Sequence, residues 1–171
     1  MAHRILVVDD DDAIRTLVRA FLEDLAIVGD VVEADSAAAA RARLAADEPQ
    51  LVLLDMNLPD GDGLDVLAHL RAASDVPVVV ITADSSSSRT IRAMQAGAYD
   101  YLVKPLEPEI VRHVVERALA HRRLSDEVRA LQETMADSAA RDRIIGASAA
   151  MQAVYKLIGR VAASDVTVLI T

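Results

Sequence analysis

Five residues could do chemistry together: Asp9, Asp10, Asp55, Thr82 and Lys104, each at or just past the end of a short apolar run. Ile5-Leu-Val-Val8 delivers Asp9 and Asp10, and Leu51-Val-Leu-Leu54 delivers Asp55 to the turn Pro59-Asp-Gly-Asp-Gly63. The run Val76 to Ile81 ends at Thr82, and Tyr101-Leu-Val103 is closed by Lys104-Pro105. Carboxylates gathered in one place repel one another, and a single lysine cannot neutralise three of them. A divalent cation can. All-oxygen ligation with few protein ligands and several waters suits Mg2+, which assigns Asp10, Asp55 and the backbone carbonyl of Asn57 as direct ligands, with Asp9 acting through a water. Such a cation would neutralise an incoming phosphoryl group while Asp55, ionised at neutral pH, attacks phosphorus in line. Lys104 and the Thr82 hydroxyl would hold phosphoryl oxygens, helped by backbone N–H groups.

Each of these residues also has a plainer local role. An acid run is usually a solvated face or a helix cap, and that reading is kept for Asp11 and Asp12. Asp55 alone could be a turn former, Thr82 a β-branched strand terminus and Lys104 a solvated charge. Their joint placement is what favours chemistry. His3, His69, His113 and His121 show no ligand spacing and are read as surface or packing residues.

The elements that must position the acids follow from periodicity. Arg4 to Val8 reads as a strand, and Ile14, Leu17, Val18, Phe21, Leu22 and Leu25 mark one face of a helix with acids at its N-terminus. Gly29 should break the chain before a strand at Val31-Val32. Ser36 should cap a helix from about Ala37 to Ala46, and Leu51 to Leu54 is a strand buried on both faces. Leu64, Leu67, Ala68 and Leu70 mark a third helix; Val76 to Ile81 is a fourth strand. Ser85 to Ser88 should be a loop and N-cap for a helix with Ile91, Met94 and Ala96, stopped at Gly97. Tyr101 to Val103 is a fifth strand and Glu107 to about Leu119 a fifth helix. Strands alternating with helices through short loops predict an α/β fold, a doubly wound five-stranded parallel sheet. Ligands of such folds bind beyond the carboxyl ends of the strands at the topological switch point, where the five residues converge.

The chain has 171 residues, enough for one full domain and an appendage. No apolar stretch approaches the roughly 18 residues of a membrane span, and no signal peptide is visible, so neither membrane insertion nor export is expected. The absence of cysteine excludes disulfides and thiolate metal sites and makes a cytoplasmic location the simplest reading. A formal net charge of -9 and 2% aromatics argue against direct nucleic-acid contact, which needs clustered cations or stacking platforms.

Four motifs together resemble the receiver domain of two-component response regulators: Leu6-Val-Val-Asp-Asp10, Leu54-Asp-Met-Asn-Leu-Pro-Asp-Gly-Asp-Gly63, Ile81-Thr-Ala83 and Tyr101-Leu-Val-Lys-Pro105. The resemblance covers roughly residues 3–121 and implies a flavodoxin-like strand order of 2-1-3-4-5. It implies that Asp55 accepts a phosphoryl group from a sensor histidine kinase, that Asp9 and Asp10 form the acidic pocket, and that Lys104 is the basic partner. It also implies a switch in which Thr82 moves toward the phosphoryl group and Tyr101 turns inward, altering the face of the fourth helix, fifth strand and fifth helix. In this family the Lys104-Pro105 bond is often cis. Asp84 occupies a position that varies in the family and affects phosphoryl lifetime.

The expected organisation is a receiver over 1–121, a helical linker over 122–142 and the first piece of a further domain over 143–171. Leu124, Val128, Leu131 and Met135 are spaced as in a short coiled-coil seam, which predicts a homodimer; the alternative is an amphipathic helix packed on its own domain. Residues 148–161 read as a helix and 166–171 as a strand that needs partners. Ile145-Gly-Ala-Ser148, Met151 and Val166-Thr-Val-Leu-Ile-Thr171 resemble the opening of the AAA+ ATPase domain of NtrC-type activators, which work with sigma-54 RNA polymerase. The glycine loop that would bind phosphate there is absent, so no ATPase activity is expected of these residues. The same residues admit other readings. A haloacid-dehalogenase-like phosphatase would use Asp9 as nucleophile with Asp11, but leaves Asp55 idle. A stand-alone receiver module would make the tail an extension without output.

Overall fold

The computed structural model describes residues 3–83, 87–141, 151 and 154. The elements are β1 (His3–Val8), α1 (Asp12–Glu23), β2 (Val28–Ala34), α2 (Ala37–Asp47), β3 (Leu51–Asp55), β4 (Asn57–Leu58), β5 (Gly61–Asp62), α3 (Gly63–Ala73), β6 (Val78–Thr82), α4 (Ser87–Gln95), β7 (Asp100–Val103) and α5 (Pro108–Arg141). The main sheet is parallel throughout, in the order β2-β1-β3-β6-β7, which is the expected 2-1-3-4-5 counted over its five strands. β4 and β5 form a small antiparallel hairpin after β3.

A two-residue period sorts the strand side chains onto two cores. Ile5, Val7, Leu51, Leu53, Val79, Ile81 and Leu102 pack with Val18 and Leu22 of α1 and with Val111, Val115 and Leu119 of α5. Leu6, Val8, Val52, Leu54, Val78 and Val80 pack on the other side with Ala40 of α2, Leu67 and Leu70 of α3 and Ala93 of α4. Burying each such Leu or Ile contributes about 1.5–3 kcal/mol, whereas an exposed ion pair contributes about 0–1 kcal/mol. The two apolar layers therefore hold the strand ends where the chemistry sits.

Local signals account for most helix ends. Asp11 caps α1 by accepting from the Ala13 N–H, Ser36 caps α2 and Asp62 caps α3. Gly97, with φ of +93°, turns the chain after α4. Two expectations are corrected. Gly29 does not break the chain: β2 runs through it from Val28, because this edge strand pairs on one side only and tolerates a residue without a side chain. The fifth helix does not end near Leu119; α5 continues without a break to Arg141, since nothing after Leu119 interrupts its helical propensity.

The chain divides into two compact units, Met1–Val128 and Arg129–Thr171. In the second unit the end of α5 is helical, as are Met151 and Val154; the rest of the expected tail helix and strand lies outside the described residues. No helix among the described residues is long and apolar enough to cross a membrane.

Candidate functional site

Asp9, Asp55 and Lys104 continue the same alternation as Ile5 and Val7, Leu51 and Leu53, and Leu102, so all three side chains leave the sheet on the α1/α5 side at its C-terminal edge. They meet where the strand order reverses, between β1 and β3. Lys104 Nζ stands 2.8 Å from Asp55 Oδ1 and 2.8 Å from Asp9 Oδ2. Asp55 Oδ2 accepts a hydrogen bond from the Asn57 N–H at 2.6 Å, and Asp9 Oδ1 accepts one from the Asp11 N–H at 3.0 Å. Asp9 and Asp55 are buried, while Asp10 and Asn57 are exposed at the rim. The Lys104-Pro105 bond is cis.

Burial pushes the Asp55 carboxyl up from the ordinary carboxylate range; Lys104 and the Asn57 N–H pull it down, and the charge of Asp9 adds to the rise. For Lys104, burial would lower the ammonium, but its bonds to Asp55 and Asp9 outweigh burial and hold it above the usual lysine value. One ammonium thus serves two buried carboxylates, and the pocket keeps an excess of negative charge.

Thr82 closes β6 and is buried, with opposite parity to Asp55, and its carbonyl accepts the Lys104 N–H at 2.8 Å. Tyr101 on β7 is 42% exposed. Ile91 and Met94 of α4, Val103 of β7 and Ile110 of α5 are also exposed, so α4, β7 and α5 all present apolar side chains. Asp84, Ser85 and Ser86 lie outside the described residues. Asp11 is spent on capping α1, and both carboxylate oxygens of Asp9 are engaged, which leaves no free Asp-x-Asp nucleophile there.

Several residues around the site carry no local sequence signal of their role. Gly63 donates its N–H to the Met56 carbonyl at 3.0 Å, and a Cβ there would lie 2.6 Å from Met56 Cα and 2.7 Å from the Asp55 carbonyl oxygen. Only glycine fits so near the Asp55 backbone. Asp60 reads locally as a turn residue, yet its carboxylate accepts from the N–H groups of Ala37 (2.7 Å) and Ala38 (2.9 Å), capping α2 from a distant loop. Arg89 reaches from α4 to the Met56 carbonyl at 3.4 Å and the Asp62 carboxylate at 3.6 Å. Arg15 and Arg19 meet Glu33 of β2; their four-residue spacing shows they share a helix face but not what that face meets.

The family described as the response regulator receiver domain matches residues 5–116. The chain is 39% identical, over 98% of its length, to the alginate biosynthesis transcriptional regulatory protein AlgB of Pseudomonas aeruginosa, of which it covers 36%. It is 36% identical, again over 98% of its length, to the DNA-binding transcriptional regulator NtrC of Rhizobium meliloti, of which it covers 33%. A crystal structure of NtrX from Brucella abortus in complex with ADP matches 95% of this chain and 34% of that one, at 34% identity and a TM-score of 0.71. The chain therefore spans about a third of the length of these proteins, and the likeness continues past the receiver residues.

Proposed function

The chain belongs to the response regulator receiver domain family, and we propose that Asp55 is its phosphoacceptor, taking a phosphoryl group from a phosphohistidine of a sensor histidine kinase. The observation that carries this reading is the bridge of Lys104 between the buried carboxylates of Asp55 and Asp9, at 2.8 Å to each, at the switch point of the sheet. A carboxylate oxygen of Asp55 attacks phosphorus; the P–O bond forms as the P–N bond breaks, and the electron pair leaves with the imidazole, which takes up a proton from water. Lys104 stays charged throughout and holds a phosphoryl oxygen, with the Thr82 hydroxyl as the second contact.

The donor set suits a hard divalent ion. Asp10 and Asp55 would hold Mg2+ directly together with the Asn57 carbonyl, and Asp9, whose oxygens already face Lys104 and the Asp11 N–H, would act through water. Two carboxylates and one backbone carbonyl leave positions for the several waters that Mg2+ keeps. Bound there, the ion supplies charge neutralisation on the phosphoryl oxygens.

Phosphorylation would draw Thr82 toward the phosphoryl group and Tyr101 inward, changing the apolar face of α4, β7 and α5. The output would be a change of dimer contacts that controls a downstream ATPase and transcription-activation domain acting with sigma-54 RNA polymerase, in the cytoplasm and without nucleic-acid contact by these residues. Likeness to AlgB, NtrC and NtrX beyond residue 116 supports that output. On this reading 1–121 is the receiver, 122–142 the linker and 143–171 the start of the output domain.

The test is intact mass after incubation with acetyl phosphate and Mg2+, beside Asp55→Asn. A labile phosphoryl adduct that needs Mg2+ and vanishes in the variant is the expected result. A folded native chain that stays unmodified, or a variant that is modified as well, would overturn the assignment.

A further inference from the structure

We propose that Arg15 is a positioning residue for the divalent-cation site: it clamps the peptide plane between Asp9 and Asp10, and so raises the affinity for a cation that its own charge repels. This rests on the reading of Asp10 and Asp55 as cation ligands.

Arg15 lies on the first turn of α1, and its side chain is only 13% exposed. Its guanidinium divides among three partners: Nη1 donates to the Asp9 carbonyl at 2.7 Å, Nη2 to Asp12 Oδ1 at 2.8 Å and Nε to Glu33 Oε2 at 3.2 Å. The Asp9 carbonyl belongs to the same rigid peptide unit as the Asp10 N–H, so the first of these bonds fixes how the chain enters Asp10. On the other side of Asp10, the Asp11 N–H is held by Asp9 Oδ1 and the Asp11 carbonyl accepts the Arg15 N–H at 3.0 Å. The exposed Asp10 is therefore carried by a backbone tied down on both flanks.

The clamp has its own anchor. Glu33 on β2 also accepts from Arg19 Nε at 2.7 Å, and Arg19 Nη2 donates to the Val31 carbonyl at 3.0 Å. Arg19 thus braces the anchor without touching the acidic loop. The planar guanidinium fork makes these bonds in fixed directions, which a lysine ammonium cannot reproduce at three partners.

Charge and position act with opposite sign, so the experiment can separate them. A cation beside a dication site weakens binding by Coulomb repulsion, and neutralising Arg15 would tighten Mg2+ if charge were all that mattered. Loss of a residue that orients a metal-binding group costs about 10-fold in affinity or more. Mg2+ binding to the unphosphorylated chain, measured by isothermal titration calorimetry, should weaken about 10-fold in Arg15→Lys, which keeps the charge. It should weaken in Arg15→Gln too, despite the lost repulsion. Arg19→Lys, which loosens only the brace on Glu33, should weaken Mg2+ binding far less than Arg15→Lys. The rate of phosphorylation by acetyl phosphate at saturating Mg2+ should recover to near the native value in Arg15→Lys, with the defect confined to the Mg2+ concentration required. Glu33→Gln, which leaves Arg15 in place but loosens its anchor, should shift Mg2+ affinity in the same direction by less. Unchanged or tighter binding in a folded Arg15→Lys, or an equal loss in Arg19→Lys, would overturn the proposal. A native chain that binds no Mg2+ would instead remove the cation-site reading beneath it.

Discussion

Asp55 must be ionised to attack phosphorus, yet at 3% exposure its burial raises the carboxyl above the ordinary carboxylate range. Its folded-state value lies above that of the unfolded chain, so its contribution to stability is greatest below the ordinary carboxylate range. That contribution is lost as the pH rises through the raised value. Asp55→Asn should therefore raise the unfolding midpoint at neutral pH in Mg2+-free buffer, with the gain shrinking as the solution is acidified. A midpoint that falls at neutral pH would show that the bond to Lys104 outweighs burial. Lys104 runs the other way: raised by Asp55 and Asp9, its stabilisation persists through neutral pH and disappears only as alkali deprotonates it. Glu33 is a third case. Burial would raise it, but Arg19 and Arg15 more than offset that and hold it below the usual glutamate range, so its ion pairs strengthen the fold above that range and weaken in acid.

Between elements, the loop from β3 to α3 is held at several points. Gly63 folds it against the Asp55 backbone, Asp60 ties it to the N-terminus of α2 and Arg89 reaches it from α4. Gly63→Ala would push a methyl group into backbone that has no rotamer with which to yield, at a cost of about 1–3 kcal/mol. Thermal unfolding should show a fall of on the order of 5 °C, and a midpoint within experimental error of the native one would refute the close approach. Asp60 accepts from two amides of α2, which hold its carboxyl below the usual range although it is exposed. Asp60→Asn should lower the midpoint at neutral pH. The gap should close as the pH falls through the carboxylate range, because the native chain then loses the same charge.

For the whole molecule, Leu124, Val128 and Leu131 of α5 are 61%, 53% and 64% exposed and present an apolar stripe along the helix. Apolar side chains spaced four and three residues apart along a continuous helix suit a second helix of the same kind. A dimer through this seam should dissociate in Leu124→Glu/Leu131→Glu, read as a drop in sedimentation coefficient, while the far-ultraviolet helical signal of the receiver is retained. A native chain that sediments as a monomer at tens of micromolar, with and without acetyl phosphate, would leave the seam without this role.

Apolar runs and punctuation made much of the protein legible beforehand. Apolar runs ending in Asp9, Asp55, Thr82 and Lys104 predict buried strands whose ends meet at one crevice, while the side of the sheet from which each side chain leaves was decided by the structure. Ser36 and Gly97 act within a few residues of themselves, and their roles could be read locally. Only tertiary structure decided which carboxylates Lys104 would bridge, that Asp60 would cap a helix that ends before it, and that Arg15 would leave the exposed face of α1 for Glu33 and the Asp9 carbonyl. Those contacts depend on strand register and on the direction in which each helix lies over the sheet. A one-dimensional pattern reports which residues share a face, but it holds no information on what that face will meet.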